Sequence, residues 1–325
     1  MVEGLSKRFG DLVALDGIEF EVPPRSVFGL LGPNGAGKTT AIRILATVLE
    51  PDAGEARILG HDVVSDADAV RRRIGLAGQY AAVDPNLTGR ENLRLIGMLS
   101  QMPSEDVAPR ADELLGRFDL TDAADRPART YSGGMRRRLD IAAALVAKPP
   151  VLFLDEPTTG LDLFSRNELW EMIRELVRDG TTVLLTTQYL EEADRLADRV
   201  AVIDHGHVIA NDTPAALKAK LGDTVAELGF EDEERAERAR SLLDGVGAAV
   251  ERDGTNVRLS SNEGPRVLID VLRRLDGAGI SPSTLAVHQP SLDDVFLALT
   301  GRRAEEAVDG AEPQQARGRR RRRVG

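Results

Sequence analysis

The segment 32–39, GPNGAGKT, constrains the fold of this chain more than any other part of the sequence. It has the spacing G-x-x-x-x-G-K-[ST] of a phosphate-binding loop (P-loop) and lies between an apolar run at 27–31 and a segment with helical periodicity. Glycines let backbone N–H groups crowd around phosphate oxygens, and the amino end of the following helix adds partial positive charge. The residues predicted to hold nucleotide here are Gly32, Pro33, Asn34, Gly35, Ala36, Gly37, Lys38, Thr39 and Thr40.

Two side chains of this loop have predicted chemistry. Lys38 can reach the β- and γ-phosphates, and the Thr39 hydroxyl can bind Mg²⁺. The alternative is a glycine-rich turn that binds nothing. It is disfavoured because the loop spacing, the strand before it and the helix after it all agree.

A second apolar run, VLFLDE at 151–156, ends in two carboxylates. The run predicts a buried strand whose last residue, Asp155, lies at the carboxyl edge of the sheet beside the P-loop. Asp155 then suits a Mg²⁺ partner through water, and Glu156 suits the polarisation of an attacking water. Strands often end in acids, so this signal has weight only because a P-loop precedes it.

A third motif, YSGGM at 131–135, places a serine and two glycines before a helical pattern. Such a helix start again offers backbone donors to a phosphate. One P-loop already surrounds a triphosphate, so this second site makes sense if it serves the nucleotide of another copy. The alternative is a capping serine followed by two glycines without a ligand.

Composition sets the limits on these interpretations. The 325 residues allow about two domains, and the absence of cysteine excludes disulfides and thiol chemistry. The net charge is −11, and removing the six arginines of the last nine residues leaves −17. Such an acidic body argues against duplex DNA as the main ligand. The longest apolar run, 141–147, is far too short for a membrane span, so a membrane role needs a partner.

The order of patterns along the chain predicts an α/β P-loop fold followed by a smaller α+β unit. Residues 1–222 alternate strands and helices as in a mainly parallel sheet, with a helical insertion at about 84–148. Residues 223–301 follow the order β-α-β-β-α-β, the split βαβ pattern. Residues 302–325 lack apolar periodicity and are predicted to be a disordered, arginine-rich tail.

Together these motifs resemble those of ATP-binding-cassette (ABC) ATPases. GPNGAGKTT, Gln79, YSGGM, VLFLDEP and the GLD at 160–162 occur in the order and spacing of that family. Longer segments resemble the daunorubicin-resistance ATP-binding subunits of drug exporters, namely GQYAAVDPNLTGRENL, TYSGGMRRRLDIAA, TTQYLEEADRLADRVAVIDHG and LDDVFLALTG. The resemblance implies an ABC ATPase core that uses ATP and Mg²⁺.

It also implies roles for further residues. Phe9 would stack on adenine, and Gln79 would bind Mg²⁺, sense the γ-phosphate and link the site to a membrane subunit. Ser132, Gly133 and Gly134 would contact the γ-phosphate bound to the opposing subunit. Asp162 would lie in the loop between the two sites. The alternatives are ordinary packing for Phe9, a polar strand end for Gln79 and a helix cap for Asp162.

Two positions depart from the family. Gln188 stands where most members have histidine, and the daunorubicin-resistance subunits also carry glutamine there. Glutamine can hold a phosphate or the attacking water by hydrogen bonds but cannot titrate, which predicts a catalytic switch residue without acid–base chemistry. Leu163 stands where most members have proline, which affects only the shape of the loop. Ser165 and Glu168 are predicted to cap the helix that follows.

The sequence thus predicts the ATPase subunit of a multi-subunit exporter of drugs or other amphipathic compounds. Two copies would close head-to-tail, and a separate membrane permease would hold the dimer at the cytoplasmic face of the cell membrane. The permease is expected to dock near Gln79 and the helical insertion. The catalytic residues would be Lys38, Glu156 and Gln188, and the metal would be bound by Thr39, Gln79 and Asp155.

Three other classes are weighed against this one. The main alternative is a non-transport ABC ATPase acting on ribosomes or nucleic acid. It is disfavoured because the chain has a single P-loop and too few residues between Gln79 and Ser132 for a long coiled coil. A GTPase would have an Asn-Lys-x-Asp motif, and the sequence contains none. A non-catalytic module would not need Lys38, Asp155 and Glu156 together.

Overall fold

The computed structural model describes residues 1–78, 83–222, 224–246, 249–261 and 266–300. The strands are β1 (Val2–Phe9), β2 (Leu12–Phe20), β3 (Val27–Leu31), β4 (Ala53–Ile58), β5 (His61–Asp62), β6 (Ile74–Ala77), β7 (Val151–Asp155), β8 (Thr182–Thr187), β9 (Arg199–Asp204), β10 (His207–Asp212), β11 (Thr224–Gly229), β12 (Ala249–Asp253), β13 (Asn256–Ser261) and β14 (Thr284–His288). The helices are α1 (Lys38–Leu45), α2 (Ala67–Arg71), α3 (Gly89–Leu99), α4 (Ser104–Arg117), α5 (Gly133–Ala144), α6 (Leu163–Arg178), α7 (Leu190–Leu196), α8 (Pro214–Ala219), α9 (Glu233–Leu243), α10 (Arg266–Gly277) and α11 (Leu292–Thr300).

The central sheet has the strand order β10-β9-β3-β8-β7-β6. Its strands pair in parallel from β6 to β9, and β10 returns antiparallel to β9. Strands β3, β7 and β8 are buried at every position because helices cover both faces, which is what their continuous apolar runs predict. The parallel order brings the carboxyl ends of β3, β7 and β8 to one edge of the sheet, and the P-loop follows β3 there.

A separate antiparallel sheet, with the order β2-β1-β4-β5, was not predicted from the sequence. The sequence patterns favour a mainly parallel sheet, which describes only the central one. Strand β4 has exposed residues at four of its six positions, so it lacks the apolar run that reveals a buried strand. This sheet packs its apolar face, including Leu5 and Leu15, against Phe28 of β3 and Ile42 of α1.

The helical insertion consists of α3, α4 and α5, which share one apolar core with the central sheet. The predicted capping box at the start of α3 is present: the Thr88 hydroxyl accepts from the Glu91 amide at 3.1 Å, and the Glu91 carboxylate accepts from the Thr88 amide at 2.8 Å. Helix α5 leads from the insertion back to β7, and the two elements share one apolar core. Packing therefore links the helix that follows the Ser132 motif to the strand that carries Asp155.

The carboxy-terminal part shows the predicted element order β11-α9-β12-β13-α10-β14. Its strands form an antiparallel sheet in the order β12-β13-β11-β14, and its core is composed only of its own residues. Helix α11 packs differently, because Phe296 and Val295 join the core beneath α7 and α8. The predicted tail at 302–325 lies outside the described residues. No helix in the part of the chain described here is both long and apolar enough to cross a membrane.

Candidate active site

The P-loop connects β3 to α1, and Lys38 is the first residue of that helix. Its ammonium donates to the carbonyl oxygens of Gly32 at 2.7 Å and Pro33 at 3.0 Å, and only 4% of the side chain is exposed. The ammonium also lies 3.9 Å from Glu156 Oε1. Burial lowers the pKa of Lys38, and the charges of Glu156 and Asp155 oppose this shift. The loop thus holds a cation at its centre, where phosphate oxygens would be bound.

Two glycines of the loop are required by the space around them. A Cβ on Gly32 would lie 2.1 Å from the carbonyl oxygen of Ile203, and one on Gly37 would lie 2.4 Å from that of Ala14. Gly37 also has a φ of 112°, which other residues rarely adopt. The cradle that the sequence predicts is therefore built by close backbone packing against β9 and β2.

Asp155 ends β7 and lies beside the P-loop, as predicted. Its Oδ1 atom accepts hydrogen bonds from Thr39 Oγ1 at 3.1 Å and from Thr186 Oγ1 at 2.6 Å. Mg²⁺ commonly binds one or two protein oxygens together with phosphates and water. The donor pair Thr39 and Asp155 fits that chemistry, and within the described ranges no cluster of three or more His, Cys, Asp or Glu side chains could hold a metal alone.

Glu156 follows in a left-handed backbone conformation, with a φ of 47°. This conformation is unfavourable for glutamate and is held by neighbouring contacts. The Glu156 amide donates to Thr186 Oγ1 at 2.9 Å, and the carboxylate faces Lys38. The sequence analysis did not single out Thr186, although its hydroxyl donates to the Asp155 carboxylate and accepts from the Glu156 backbone amide. Its position at the end of the run TTVLLTT, next to the β7 edge, was the available signal.

The helix expected after Ser132 is α5, and Ser132 caps it by accepting a hydrogen bond from the Met135 amide at 3.2 Å. Ser132 and Gly133 are exposed, and no hydrogen bond or ion pair joins these two residues to the P-loop within the described chain. A Cβ on Gly134 would lie 2.9 Å from Ser165 Oγ, so α5 and α6 begin side by side. Within one chain, Ser132 and Gly133 are therefore open to solvent.

The predicted cap of α6 is wrong. The helix begins at Leu163, and Asp162 is the capping residue, because its carboxylate accepts from the Ser165 amide at 2.8 Å. This bond also lowers the pKa of Asp162. Ser165 and Glu168 resemble a capping box in spacing, but an aspartate three residues earlier takes that role. Capping does not conflict with a role for Asp162 between two sites.

Of four other residues predicted to belong to the site, the structure describes three. Gln188 follows β8 at the nucleotide edge, and its Oε1 atom is buried with no hydrogen-bond partner among the described residues. Phe9 ends β1 with 48% of its surface exposed, and the Lys7 ammonium lies 5.8 Å from the ring centre. Thr40 is the third residue of α1. Gln79 lies outside the described residues.

Four positions after Gln188 along the chain lies a buried acid that the sequence patterns did not reveal. Glu192 on α7 is fully buried and accepts a hydrogen bond from Trp170 Nε1 at 3.0 Å. Burial raises the pKa of Glu192, and the hydrogen bonds to it offset this only in part. A glutamate within the acidic run EEAD is predicted from sequence to be exposed to solvent. Only the packing of α7 against α6 reveals that Glu192 is buried.

This burial predicts a pH-dependent stability. Between the ordinary glutamate pKa of about 4.3 and the raised pKa of the folded state, Glu192 holds a proton in the folded chain that the unfolded chain has lost. Through this range Glu192 therefore makes the free energy of unfolding fall as pH rises. Glu192→Gln keeps an oxygen that can accept from Trp170 but cannot titrate. We expect its urea-unfolding free energy to fall less steeply from pH 5 to pH 8 than that of the unmodified chain. Equal slopes in the two proteins would contradict the buried-acid assignment.

Comparison with known proteins agrees with this geometry. Residues 15–159 match the ABC transporter family model. The chain is 52% identical over 305 residues to the daunorubicin/doxorubicin resistance ATP-binding protein DrrA of Streptomyces peucetius, covering 93% of this chain and 92% of the relative. It is 41% identical over 303 residues to the Nod factor export ATP-binding protein I of Ralstonia nicotianae, covering 93% of each.

Solved structures show the same fold. A dimeric ATP-binding cassette in a post-hydrolysis state bound to ADP and Pi superimposes with a TM-score of 0.60 at 27% identity, covering 65% of this chain and 97% of the other. The ATP-binding subunit of an ABC transporter superimposes with a TM-score of 0.61 at 28% identity, covering 67% and 91%. The names of these relatives refer to drug resistance and Nod factor export, to an ATP-binding cassette and to an ABC transporter. They give no support to the alternative of a non-transport ABC ATPase acting on ribosomes or nucleic acid. The chain is an ABC-type ATPase and belongs to the daunorubicin-resistance family of ABC transporter ATP-binding subunits.

Proposed function

We propose that this chain hydrolyses ATP as a head-to-tail homodimer and drives export of drugs or other amphipathic compounds through a separate permease. One observation carries the catalytic part: Lys38, Thr39, Asp155 and Glu156 meet at the carboxyl edge of the central sheet. The relatives named above for drug resistance and Nod factor export support the cellular role. The dimer would then lie at the cytoplasmic face of the cell membrane.

The geometry suits in-line attack of water on the γ-phosphorus. Lys38 and the P-loop amides would bind the phosphate oxygens and stabilise the charge that develops on them. Glu156 would accept the proton of the attacking water, since it is the carboxylate nearest to Lys38. Mg²⁺, held by Thr39, Asp155 and Gln79, would neutralise charge on the β- and γ-phosphates. Phe9, with its exposed ring, would stack on adenine.

Gln188 would orient the attacking water. Its buried Oε1 atom lacks a partner among the described residues, and a buried acceptor without a partner is costly. A water positioned between Gln188 and Glu156 would satisfy it by donating one hydrogen to each. Because an amide does not titrate, Gln188 would do this without acid–base chemistry.

The second copy would complete each site. Ser132, Gly133 and Gly134 begin a helix of 12 residues, and their exposed backbone donors suit the γ-phosphate of the opposing chain. Beside them Asp162 caps α6, whose first two residues, Leu163 and Phe164, are 64% and 73% exposed. Two adjacent apolar side chains exposed at a helix start are unfavourable in water. Their burial between two copies would favour the closed dimer.

A groove between the central sheet and the helical insertion suits the permease. Its volume is about 780 Å³. The floor is formed by the alanines of α5, and the two walls are formed by α2 with β6 and by the end of α3 with the loop after it. Leu99, at the end of α3, is 73% exposed on its rim. The groove lies next to the chain that leads to Gln79, which supports the predicted docking position.

The export proposal can be tested by changing this rim. We expect a multi-span membrane protein, the permease, to be encoded beside this gene, and Leu99→Glu to abolish copurification with it. The same variant should abolish ATP-dependent doxorubicin uptake into inverted vesicles holding both proteins. ATP hydrolysis by the free chain should stay within about twofold, since surface changes rarely alter a distant site. The matched control is Ile269→Glu on α10, where the side chain is 53% exposed outside the groove. Normal uptake with Leu99→Glu, or equal loss with both variants, would contradict docking here.

A further inference from the structure

Arg137 makes contacts that the proposed mechanism does not use. It lies on α5, one turn after Gly133 and Gly134, and its side chain is 12% exposed. All three guanidinium nitrogens donate to backbone carbonyl oxygens: Nε to Pro157 at 2.9 Å, Nη1 to Gly78 at 2.8 Å and Nη2 to Asp155 at 3.0 Å. These three carbonyls come from two segments that are far apart in the sequence.

Two of these carbonyls flank the catalytic carboxylate. Asp155 and Pro157 are the neighbours of Glu156, whose left-handed backbone needs support from its surroundings. Thr186 supports that residue from β8, and Arg137 supports it from α5. The guanidinium therefore binds the peptide unit that directly precedes Glu156 and the peptide unit that follows Pro157. These two bonds restrain the backbone on either side of Glu156 and thereby help to orient its side chain.

The third carbonyl belongs to the residue that follows β6, the strand next to β7. Gly78 follows β6 and directly precedes Gln79, the residue expected to link nucleotide and permease. Arg137 thus joins three parts of the protein: the helix that begins with the Ser132 motif, the strand end that holds Glu156, and the segment leading to Gln79. A planar guanidinium has donors in a fixed fork that can bind three carbonyls at once, whereas a lysine ammonium acts as a point charge.

We propose that Arg137 is a positioning residue that couples the two active sites of the dimer, an inference that rests on the proposed shared-site function. The amino end of α5 would bind the ATP of the partner. A change there would move α5, and Arg137 would carry that movement to Glu156 of its own chain. Each nucleotide would then influence hydrolysis of the other through one side chain.

The first test is steady-state ATP hydrolysis. We expect Arg137→Gln to lower kcat about 10- to 100-fold, as misplacement of a catalytic group by about 1 Å does, with KM changed less than about threefold. The affinity for a fluorescent ATP analogue should be unchanged, which also shows that the variant is folded. Arg137→Lys should recover only part of kcat. An unchanged kcat, or full recovery with lysine, would overturn the assignment.

Arg138→Gln is the matched control, one residue further along α5. Arg138 lies 3.4 Å from Asp119 and 3.9 Å from Glu168, both on the protein surface, so its loss should leave kcat within about twofold. An equal loss of kcat in the Arg138 variant would mean that any cationic residue removed from α5 disturbs the site, and the specific role of Arg137 would be withdrawn.

Mixed dimers separate this inference from the shared-site proposal. One chain carries Glu156→Gln, so that only the other chain's P-loop site hydrolyses ATP. Arg137→Gln on the chain with intact Glu156 should reduce hydrolysis at least tenfold. The same substitution on the chain that carries Glu156→Gln, the silenced chain, should reduce hydrolysis less than threefold. The opposite pattern, or equal effects, would overturn the role of Arg137. The shared site itself is tested by Ser132→Arg, which should reduce hydrolysis strongly on the silenced chain and weakly on the chain with intact Glu156.

Discussion

Glu156→Gln is expected to reduce ATP hydrolysis about 10²- to 10⁴-fold, which is the usual contribution of a general base. Glutamine fits the same space and keeps one oxygen, but it cannot accept the proton of the attacking water. The carboxylate lies 3.9 Å from the Lys38 ammonium, so its replacement also removes a negative charge from the place where phosphate would bind. Affinity for ATP should therefore be maintained or increased.

The same variant should accumulate as a dimer with bound ATP. Two copies that bind ATP but cannot hydrolyse it have no step that reopens their interface. Size-exclusion chromatography with Mg²⁺ and ATP should show about twice the mass found without nucleotide. The matched control is Glu168→Gln, an acid on the surface of α6, which should hydrolyse ATP normally. Rapid hydrolysis by Glu156→Gln would show that another group accepts the proton.

Ser132→Arg in one chain of a mixed dimer is expected to silence the P-loop site of the other chain. Ser132 and Gly133 are exposed at the amino end of α5, and no hydrogen bond or ion pair joins them to their own P-loop within the described chain. Arginine there would fill the space of the γ-phosphate and place a cation at the positive end of a helix. Loss of such a phosphate-binding element should cost about 10²- to 10³-fold in hydrolysis.

The mixed dimer with one silenced chain measures which P-loop site Ser132→Arg impairs. With Glu156→Gln on one chain, Ser132→Arg on that chain should abolish the remaining activity, whereas Ser132→Arg on the intact chain should leave most of it. Ser104→Arg at the exposed start of α4 serves as the control for an added arginine at a helix end. Damage restricted to the P-loop site of the mutated chain would contradict the shared-site model.

Much of the site could be predicted from sequence because its parts are short and local. The P-loop spacing, the acids after β7 and the serine at the start of α5 each depend on neighbours within a few residues. The same locality explains the error at α6, where two residues with capping spacing competed with Asp162. A pattern identifies possible caps, and only the backbone conformation shows which one is used.

The residues that sequence reasoning missed act across long separations. Thr186 binds Asp155 and Glu156 from the adjacent strand, and Arg137 binds Gly78, 59 positions before it. Glu192 is buried because α7 packs against α6. An arginine triplet at 136–138 reads as a solvated helix face, and only one of its members points inward to three carbonyls.

The sequence alone predicted the chemistry proposed for this protein, namely a triphosphate cradle, a metal-binding pair and a base after a buried strand, since each depends on residue type and close spacing. The tertiary structure decided which groups meet. The parallel order of β3, β8 and β7 places Lys38 beside Glu156. The return of α5 from the helical insertion lets Arg137 bind the carbonyl oxygens of Asp155 and Pro157, the residues before and after that acid. These contacts depend on chain topology, because hydrogen bonds between distant segments leave no periodic signal in the sequence.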